Sequence, residues 1–175
     1  FDALTFPLST GDDDLRRDAI ATIEAIRRIH TEMPGVHTTL GVSNVSFGLS
    51  PAARHVLNSV FLHECIDAGM TSAIVHASKI QPLAKIPEIQ RDVCLDLIWD
   101  RRGSAGTLSE GDESYDPLTK LLDVFADVKV VEAVKEDRSG WSVERRLSQR
   151  IIDGDRDGLT VDLDEALAAG IPALA

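Results

Sequence analysis

The chain has 175 residues, about the size of one ordinary domain, and a chain of that length buries roughly 70% of its unfolded surface on folding. Lys and Arg number 18 against 29 Asp and Glu, so the formal charge is −11; this sign argues against partners such as nucleic acid or an anionic membrane surface. Hydrophobic residues make up 43% of the chain, but the apolar runs fall far short of the ~20 residues that a membrane span needs, and no transmembrane helix is predicted.

The first half of the chain alternates strand-like and helix-like segments. Short runs rich in β-branched residues are typical of strands, and apolar residues at helical spacing between them are typical of packed helices. Strands joined in this way lie parallel with right-handed crossovers, so the alternation predicts the α/β class, as a sheet or a barrel. The predicted strands are residues 1–9, 36–42 and 72–76, and the predicted helices between them are residues 12–34 and 51–68.

The second half is predicted to be helical. A Gly-, Ser- and acid-rich stretch at residues 102–115 interrupts the helical periodicity and is typical of a mobile loop. A charged stretch at residues 127–140 indicates a domain boundary. The predicted helices contain residues 93–98 and 118–125, and two amphipathic ones follow, starting at Trp141 and after Asp162.

Two cysteines occur, Cys65 and Cys94, both within apolar helical patterns. They lack the CxxC spacing of a zinc knuckle and are too few for a disulfide framework, so we predict two small core residues in a cytoplasmic protein. The chain starts on an apolar strand-like run without a signal peptide and stops within a helical pattern. We therefore expect a fragment of something longer.

Polar residues lie at or near the carboxyl ends of the predicted strands. Ligands bind at this edge of parallel sheets and barrels, which directs attention to Asp2, to Ser43-Asn44 and to His76. The Asn44 amide can donate or accept a hydrogen bond without changing its charge. General catalytic signatures such as a P-loop, GxGxxG, HExxH or GxSxG do not occur. Motifs of this kind therefore leave the function open.

More specific is the run TTLGVSNVSFGLSPAARHVLNSVFL, with FDALTFPLSTG before it and GMTSAIVHAS after it. It resembles the last strands of the pterin-binding barrel in the cobalamin-dependent methionine synthase family. The tail from Trp141 onwards resembles the opening helices of that family's four-helix cap. The resemblance implies the last three βα units of a TIM-type pterin-binding barrel at residues 1–127, a helical linker at 128–140 and the start of a cobalamin-binding cap at 141–175.

The resemblance also implies a reaction. A folate domain of this family holds 5-methyltetrahydrofolate while its N5 methyl passes to cob(I)alamin (vitamin B12), which then methylates homocysteine in methionine biosynthesis. By similarity, Asp2 binds the pterin ring, Asn44 is the catalytic and folate-binding amide beside N5, and Arg54 binds folate. A carboxylate matches the paired N–H donors of an aminopyrimidinone. A tertiary amine leaves readily only after gaining a proton, which an amide beside N5 would stabilise in the transition state.

Other parts implied by the resemblance lie outside the chain. These are the earlier barrel strands, the homocysteine domain with its zinc and the cobalamin domain, so this chain alone is expected to be inactive and to hold no metal. Its implied partners are the folate and the rest of the parent polypeptide. The strands at Phe1 and Ser72 would each leave an unpaired edge, so the fragment on its own is expected to self-associate, to borrow a partner or to fold poorly. Two departures stand out: Ala3 follows Asp2 where relatives have proline, and His76 replaces an asparagine.

Two other functions are open at this point. One is that of another pterin-barrel methyltransferase, which serves a separate corrinoid protein; such enzymes end with the barrel and lack a cap-like tail. The other is that of a non-catalytic module that binds a pterin or a protein. For single residues, Asp2 could simply cap a chain end, Asn44 could serve a turn and Arg54 could form surface ion pairs.

Overall fold

The computed structural model of the chain describes residues 1–128, 137–153 and 155–172. The chain divides into two compact units, Phe1–Val130 and Val131–Ala175. None of the helices in the described ranges is long and apolar enough to cross a bilayer. The α-helices are α1 (Asp18–Glu32), α2 (Pro51–Asp67), α3 (Glu88–Ile98) and α4 (Pro117–Phe125) in the first unit, and α5 (Val143–Asp153) and α6 (Leu159–Ala168) in the second.

The prediction of an α/β fold, with three βα units of a TIM-type barrel, is wrong. Within the described ranges the structure is helical, and the three segments predicted as strands form no strand. They lie parallel but meet only at isolated bridges, one between Asp2 and Thr39 and one between Gly41 and Ile74. A strand requires consecutive pairs along a ladder, and single bridges do not supply them.

Local geometry shows why the ladder stops. The Thr39 N–H donates to the Phe1 carbonyl at 2.8 Å, and the Thr39 carbonyl accepts from the Ala3 N–H at 3.0 Å. Beyond these bonds the chain winds into short 3-10 helices, at Leu8–Thr10 in the first segment and at Val42–Ser46 in the second. The composition of these segments favours extended backbone, but pairing ends after a few residues.

Helix α2 was predicted almost to the residue. Proline stands at its first position, where no N–H partner is needed, and the Ser50 hydroxyl caps the first turn by accepting from the Ala53 N–H at 3.4 Å. After the helix the chain turns at Gly69, whose φ is +100°. A Cβ at Gly69 would lie 2.4 Å from Cγ of His30, so both backbone and packing require glycine there.

The core of the first unit forms around α2, which packs against α1, α3, α4 and the Val42–Ser46 turn. Cys65 on α2 and Cys94 on α3 are both 0% exposed, which confirms their prediction as core residues. Burial raises the pKa of Cys65 to about 12 and also raises that of Cys94. Ile66, an apolar residue of α2, is 53% exposed. The largest fully buried side chains include Phe61, Ile23, Ile26, Leu40, Leu57, Ile98 and Leu121.

The Gly-, Ser- and acid-rich stretch is anchored on α3 by one buried carboxylate. Asp96 is 0% exposed and accepts hydrogen bonds from the Tyr115 hydroxyl at 2.8 Å and from the Leu108 N–H at 3.2 Å. Burial, followed by the bond to Asp96, raises the pKa of Tyr115. Residues 110–114 between these anchors are exposed, and three of them are acidic.

In the second unit, ion pairs connect α5 to α6. Asp162 on α6 accepts from Nε of Arg146 at 2.9 Å and from Nε of Arg150 at 2.5 Å, and Arg146 also binds Glu165. The hydrogen bond from Arg150 is the main cause that lowers the pKa of Asp162. In the first turn of α5, the Arg145 guanidinium lies 3.7 Å from the ring centroid of Trp141, which precedes the helix. Assignment of this unit to a cobalamin cap stays a prediction.

Candidate functional site

The turn that carries Asn44 is built on buried neighbours. Val42 and Val45 are 0% exposed and anchor the 3-10 turn in the core, whereas Asn44 between them is exposed. The Asn44 N–H donates to the Gly41 carbonyl at 3.3 Å, and its carbonyl accepts from the Phe47 N–H at 3.1 Å. The backbone of Asn44 is therefore held by the turn while its amide remains accessible to a ligand.

Arg54 reaches back from the first turns of α2 to this same turn. Its Nε donates to the Ser46 hydroxyl at 3.2 Å, and its Nη2 donates to the Ser43 carbonyl at 3.3 Å. Its guanidinium lies 6.0 Å from the centroid of the Phe47 ring, within the range of a weak cation–π contact. The structure thus joins two of the predicted site residues, because Arg54 clamps the turn that presents Asn44.

Asp2 lies on the neighbouring extended segment, beside Thr39. It is exposed, and its Oδ1 accepts from the Leu4 N–H at 3.1 Å. This is an Asx turn, in which the hydrogen bond from the Leu4 backbone N–H fixes the Asp2 carboxylate. The other acceptor positions of the carboxylate remain on its exposed side. Its predicted contact with a pterin stays a prediction.

A cleft of about 360 Å³ opens beside the Asn44 turn. One wall is the start of α2, and the other is the segment that follows the third extended stretch, including the 3-10 turn Ala77–Lys79. The floor is partly apolar. The polar side chains that line it are those of Ser43, Arg54, His55, Asn58, His76 and Lys79.

The lining of the cleft is electropositive. Arg54 and Lys79 carry full charges, and none of the described residues that line the cleft is acidic. The pKa of His55 is lowered, chiefly by burial and then by repulsion from Lys79, Arg54 and His76. Four side chains that can carry positive charge therefore share one small cavity.

Three of the cleft residues were not singled out by the sequence: His55, Asn58 and Lys79. The signal for the first two was present, because Arg54, His55 and Asn58 stand at i, i+1 and i+4 and form a polar stripe at the start of a largely apolar helix. The side-chain oxygen Oδ1 of Asn58 is buried and has no hydrogen-bond partner among the described residues.

The described residues form no group of three or more His, Cys, Asp and Glu side chains that could hold a metal ion. His76, the residue that departs from the family pattern, has its Nδ1 3.0 Å from the Ser78 hydroxyl. It lies in the cleft as a polar wall residue.

Comparisons with known proteins show what the chain resembles in sequence. The sequence model of the pterin binding enzyme family matches residues 1–76. The chain is 54% identical over 175 residues to methionine synthase of Mycobacterium tuberculosis (strain ATCC 25618 / H37Rv), an alignment that covers 98% of this chain and 14% of that protein. It is 52% identical to methionine synthase of Mycobacterium leprae (strain TN) with the same coverage. The predicted resemblance to methionine synthase is thereby confirmed.

Proposed function

We propose that the first unit of the chain forms part of a folate domain that binds 5-methyltetrahydrofolate, because the chain is homologous to a segment of methionine synthase. In the whole protein this domain would support transfer of the N5 methyl to cob(I)alamin and, from there, to homocysteine. The chain spans about one seventh of the relatives' length, 14%. The homocysteine and cobalamin domains would be its partners, in the cytoplasm.

The observation that carries the proposal is the Asn44 turn. The family match covers this turn, and the exposed amide is fixed to the core by Val42, Val45 and the Arg54 clamp. An amide oxygen held in place can accept a hydrogen bond from N5–H as the amine becomes a leaving group, at no cost in reorganisation. Asp2 would accept from the N–H donors of the pterin ring, and its Asx turn keeps the carboxylate ready to do so.

Cobalamin, when bound, supplies the nucleophile that takes the methyl group. The described residues offer no set of metal ligands, so we assign to this chain no residue that holds the cobalt or a zinc ion. Its contribution is to bind the folate, orient N5 and accept a hydrogen bond from the proton that N5 gains. These are positioning and hydrogen-bonding functions that the turn and its clamp can perform.

Similarity beyond residue 76 favours this function over that of a methyltransferase that ends with the pterin-binding domain. The family model stops at residue 76, whereas the identity to methionine synthase covers 98% of the chain and includes the helices of the second unit. A non-catalytic pterin-binding module would keep the folate site but transfer no methyl group. The two are separated by measuring transfer as well as binding.

The test is Asn44→Ala in the natural full-length polypeptide that contains this sequence. We expect methyl transfer from 5-methyltetrahydrofolate to cob(I)alamin to slow by about 10²-fold, the cost of removing one preorganised hydrogen-bonding group at a developing charge. Folate affinity should change much less, because the interaction forms mainly in the transition state. Stopped-flow absorbance of the corrinoid measures the rate, and a binding titration measures the affinity.

Gln90→Ala is the matched control, since it removes a side-chain amide from α3, outside the cleft. We expect neither rate nor affinity to change in this variant. An unchanged rate in Asn44→Ala would show that the amide does not assist departure of the amine. Absence of folate binding in the unaltered protein would overturn the proposed function itself.

A further inference from the structure

Two hydrogen bonds meet at the buried hydroxyl of Ser46, in the turn that carries Asn44. Its Oγ accepts from Nε of Arg54 at 3.2 Å and donates to the Ser43 carbonyl at 3.2 Å. Chemistry fixes these directions, because a guanidinium N–H can only donate and a carbonyl oxygen can only accept. Ser46 is 0% exposed, so its hydroxyl cannot touch a bound folate. Any contribution that it makes to the reaction has to pass through its neighbours.

The neighbour that bears on the reaction is the peptide group between Ser43 and Asn44. Its N–H donates to the Gly41 carbonyl at 3.3 Å, and its carbonyl oxygen accepts from both the Ser46 hydroxyl and Nη2 of Arg54. A peptide group is planar, so bonds at both of its ends fix the orientation of the plane. The Cα of Asn44 belongs to this plane. These bonds therefore help to set the direction in which the Asn44 side chain leaves the backbone.

The clamp from Arg54 depends on the same hydroxyl. The bond from Nη2 to the Ser43 carbonyl is exposed to solvent and, at 3.3 Å, slightly longer than the usual range for an N–H···O bond. The bond from Nε to Ser46 is partly buried, and a hydrogen bond is stronger where water is excluded. Ser46 is therefore the firmer of the two points at which Arg54 is attached to the turn.

We propose that Ser46 is a positioning residue for methyl transfer, which holds the Asn44 amide in place through the Ser43–Asn44 peptide group and through Arg54. The inference rests on the proposed function, since it takes Asn44 as the amide beside N5. An amide that accepts a hydrogen bond from a developing N5–H loses part of its advantage when its position is not fixed beforehand. The inference gives this task to a side chain that lies beneath the surface of the site.

The test is Ser46→Ala in the natural full-length polypeptide that contains this sequence. The substitution removes one oxygen atom from the core and leaves the buried volume almost unchanged. We expect methyl transfer to cob(I)alamin to slow about tenfold, because the Asn44 amide is still present but less firmly placed. The Kd of 5-methyltetrahydrofolate should change less than about twofold, since the amide acts mainly in the transition state. Stopped-flow absorbance and a binding titration measure the two quantities.

A double-mutant cycle separates positioning from a general structural role. If Ser46 acts through the Asn44 amide, Ser46→Ala should have no further effect on the rate in an Asn44→Ala background. A hydroxyl that only stabilises the fold would slow transfer by the same factor in both backgrounds. Equal factors in the two backgrounds would overturn the inference.

Ser109→Ala is the matched control. Ser109 is a buried serine of the same unit, 6% exposed, and its hydroxyl donates to the Gly106 carbonyl three residues before it, as that of Ser46 donates to Ser43. It lies in the acid-rich stretch, outside the cleft and the Asn44 turn. We expect neither rate nor affinity to change in this variant. If transfer slowed as much as in Ser46→Ala, the loss of any buried serine hydroxyl would explain the effect and the inference would fail.

The proposed function is judged from other variants than this inference. If Asn44→Ala slows transfer and Ser46→Ala does not, the proposed function stands and the positioning role is wrong. If Asn44→Ala leaves the rate unchanged, Ser46 has no amide to act through, and the inference fails although folate binding can stand. If the unaltered protein binds no folate, the proposed function fails and the inference falls with it.

Discussion

The two units of the chain are stabilised by different physical means. In the first, apolar side chains of α1 to α4 close around α2, and Phe61 is 0% exposed at its centre. In the second, ion pairs join α5 to α6, with Asp162 between Arg146 and Arg150. The buried apolar side chains of these two helices are those of Val143 and Ala166. Large apolar side chains there, such as Ile151 at 83%, remain exposed.

This difference indicates which unit can hold the residues of a binding site in fixed positions. An apolar core loses several kcal/mol for each large side chain removed and holds its neighbours in place, so a turn anchored on it can present an amide in a fixed position. Ion pairs with partial solvent access contribute less and depend on salt and pH. The candidate site lies in the unit with the apolar core.

The largest expected effect is that of Phe61→Ala on the first unit. Removing a fully buried phenylalanine costs about 3–5 kcal/mol, a large part of the stability of an ordinary domain. The free energy of unfolding of this unit should fall by that amount. Urea titration with fluorescence of Trp99, in a Trp141→Phe background, measures the first unit alone, because each unit contains one tryptophan.

Phe47→Ala is the control for this substitution, since Phe47 belongs to the same unit and is 66% exposed. Its cost should stay below about 1 kcal/mol, as for most surface substitutions. Equal losses in the two variants would break the comparison, because burial would then not decide the stability of this unit.

A smaller effect is expected from Asp162→Asn in the second unit. The lowered pKa of Asp162 means that its contribution to stability is complete above the ordinary value of 3.8 and is lost as the pH falls through the value in the folded state. At neutral pH the variant should therefore melt several degrees lower. The difference should disappear in strongly acid solution. Thermal melts followed by Trp141, in a Trp99→Phe background, measure it.

Asp164→Asn removes a carboxylate from the exposed side of the same helix and should change the melting temperature little. A difference between Asp162→Asn and the unaltered chain that persisted at pH 2 would contradict the electrostatic origin of this stabilisation. So would an equal loss in the control variant.

The smallest expected effect is the loss of stability that His55 causes in the first unit as the pH falls. It sharpens the comparison by testing the unit that has the apolar core. Burial and the nearby cations lower its pKa from 6.5, so the unfolded chain binds more protons below about that pH. The stability of the first unit should therefore fall as the solution is acidified from pH 7.5 to pH 5. In His55→Gln the decrease should be shallower, as measured by urea titration at each pH. His63→Gln on the same helix is the control, and an equal flattening there would contradict His55 as the source.

The bounds of a helix were predicted well where residues at its own ends determine them. Proline at 51 and glycine at 69 fix the bounds of α2. Where a tertiary contact decides, prediction was less accurate. The acidic residues from 12 onwards predicted the start of α1, but the helix begins at Asp18, whose carboxylate accepts from the Phe6 N–H at 2.6 Å and binds the Thr5 hydroxyl.

The strands failed because their formation depends on partners distant in sequence. Residues 72–76 have the composition of a buried strand, yet Ile74 is 67% exposed and its segment pairs on one side only. Sequence singled out Asn44 through its position after an apolar run. It did not predict the clamp from Arg54 or the cleft, because these need α2 and residues 75–80 brought together by the fold.

The reactivity of the two buried thiols depends on the first unit alone. Cys65 and Cys94 are the sole cysteines of the chain, both lie within the first unit, and burial keeps both protonated at neutral pH. An alkylating reagent can reach them only when the helices around them separate. The rate at which they are modified would therefore measure the opening of the first unit, because the second unit contains no cysteine.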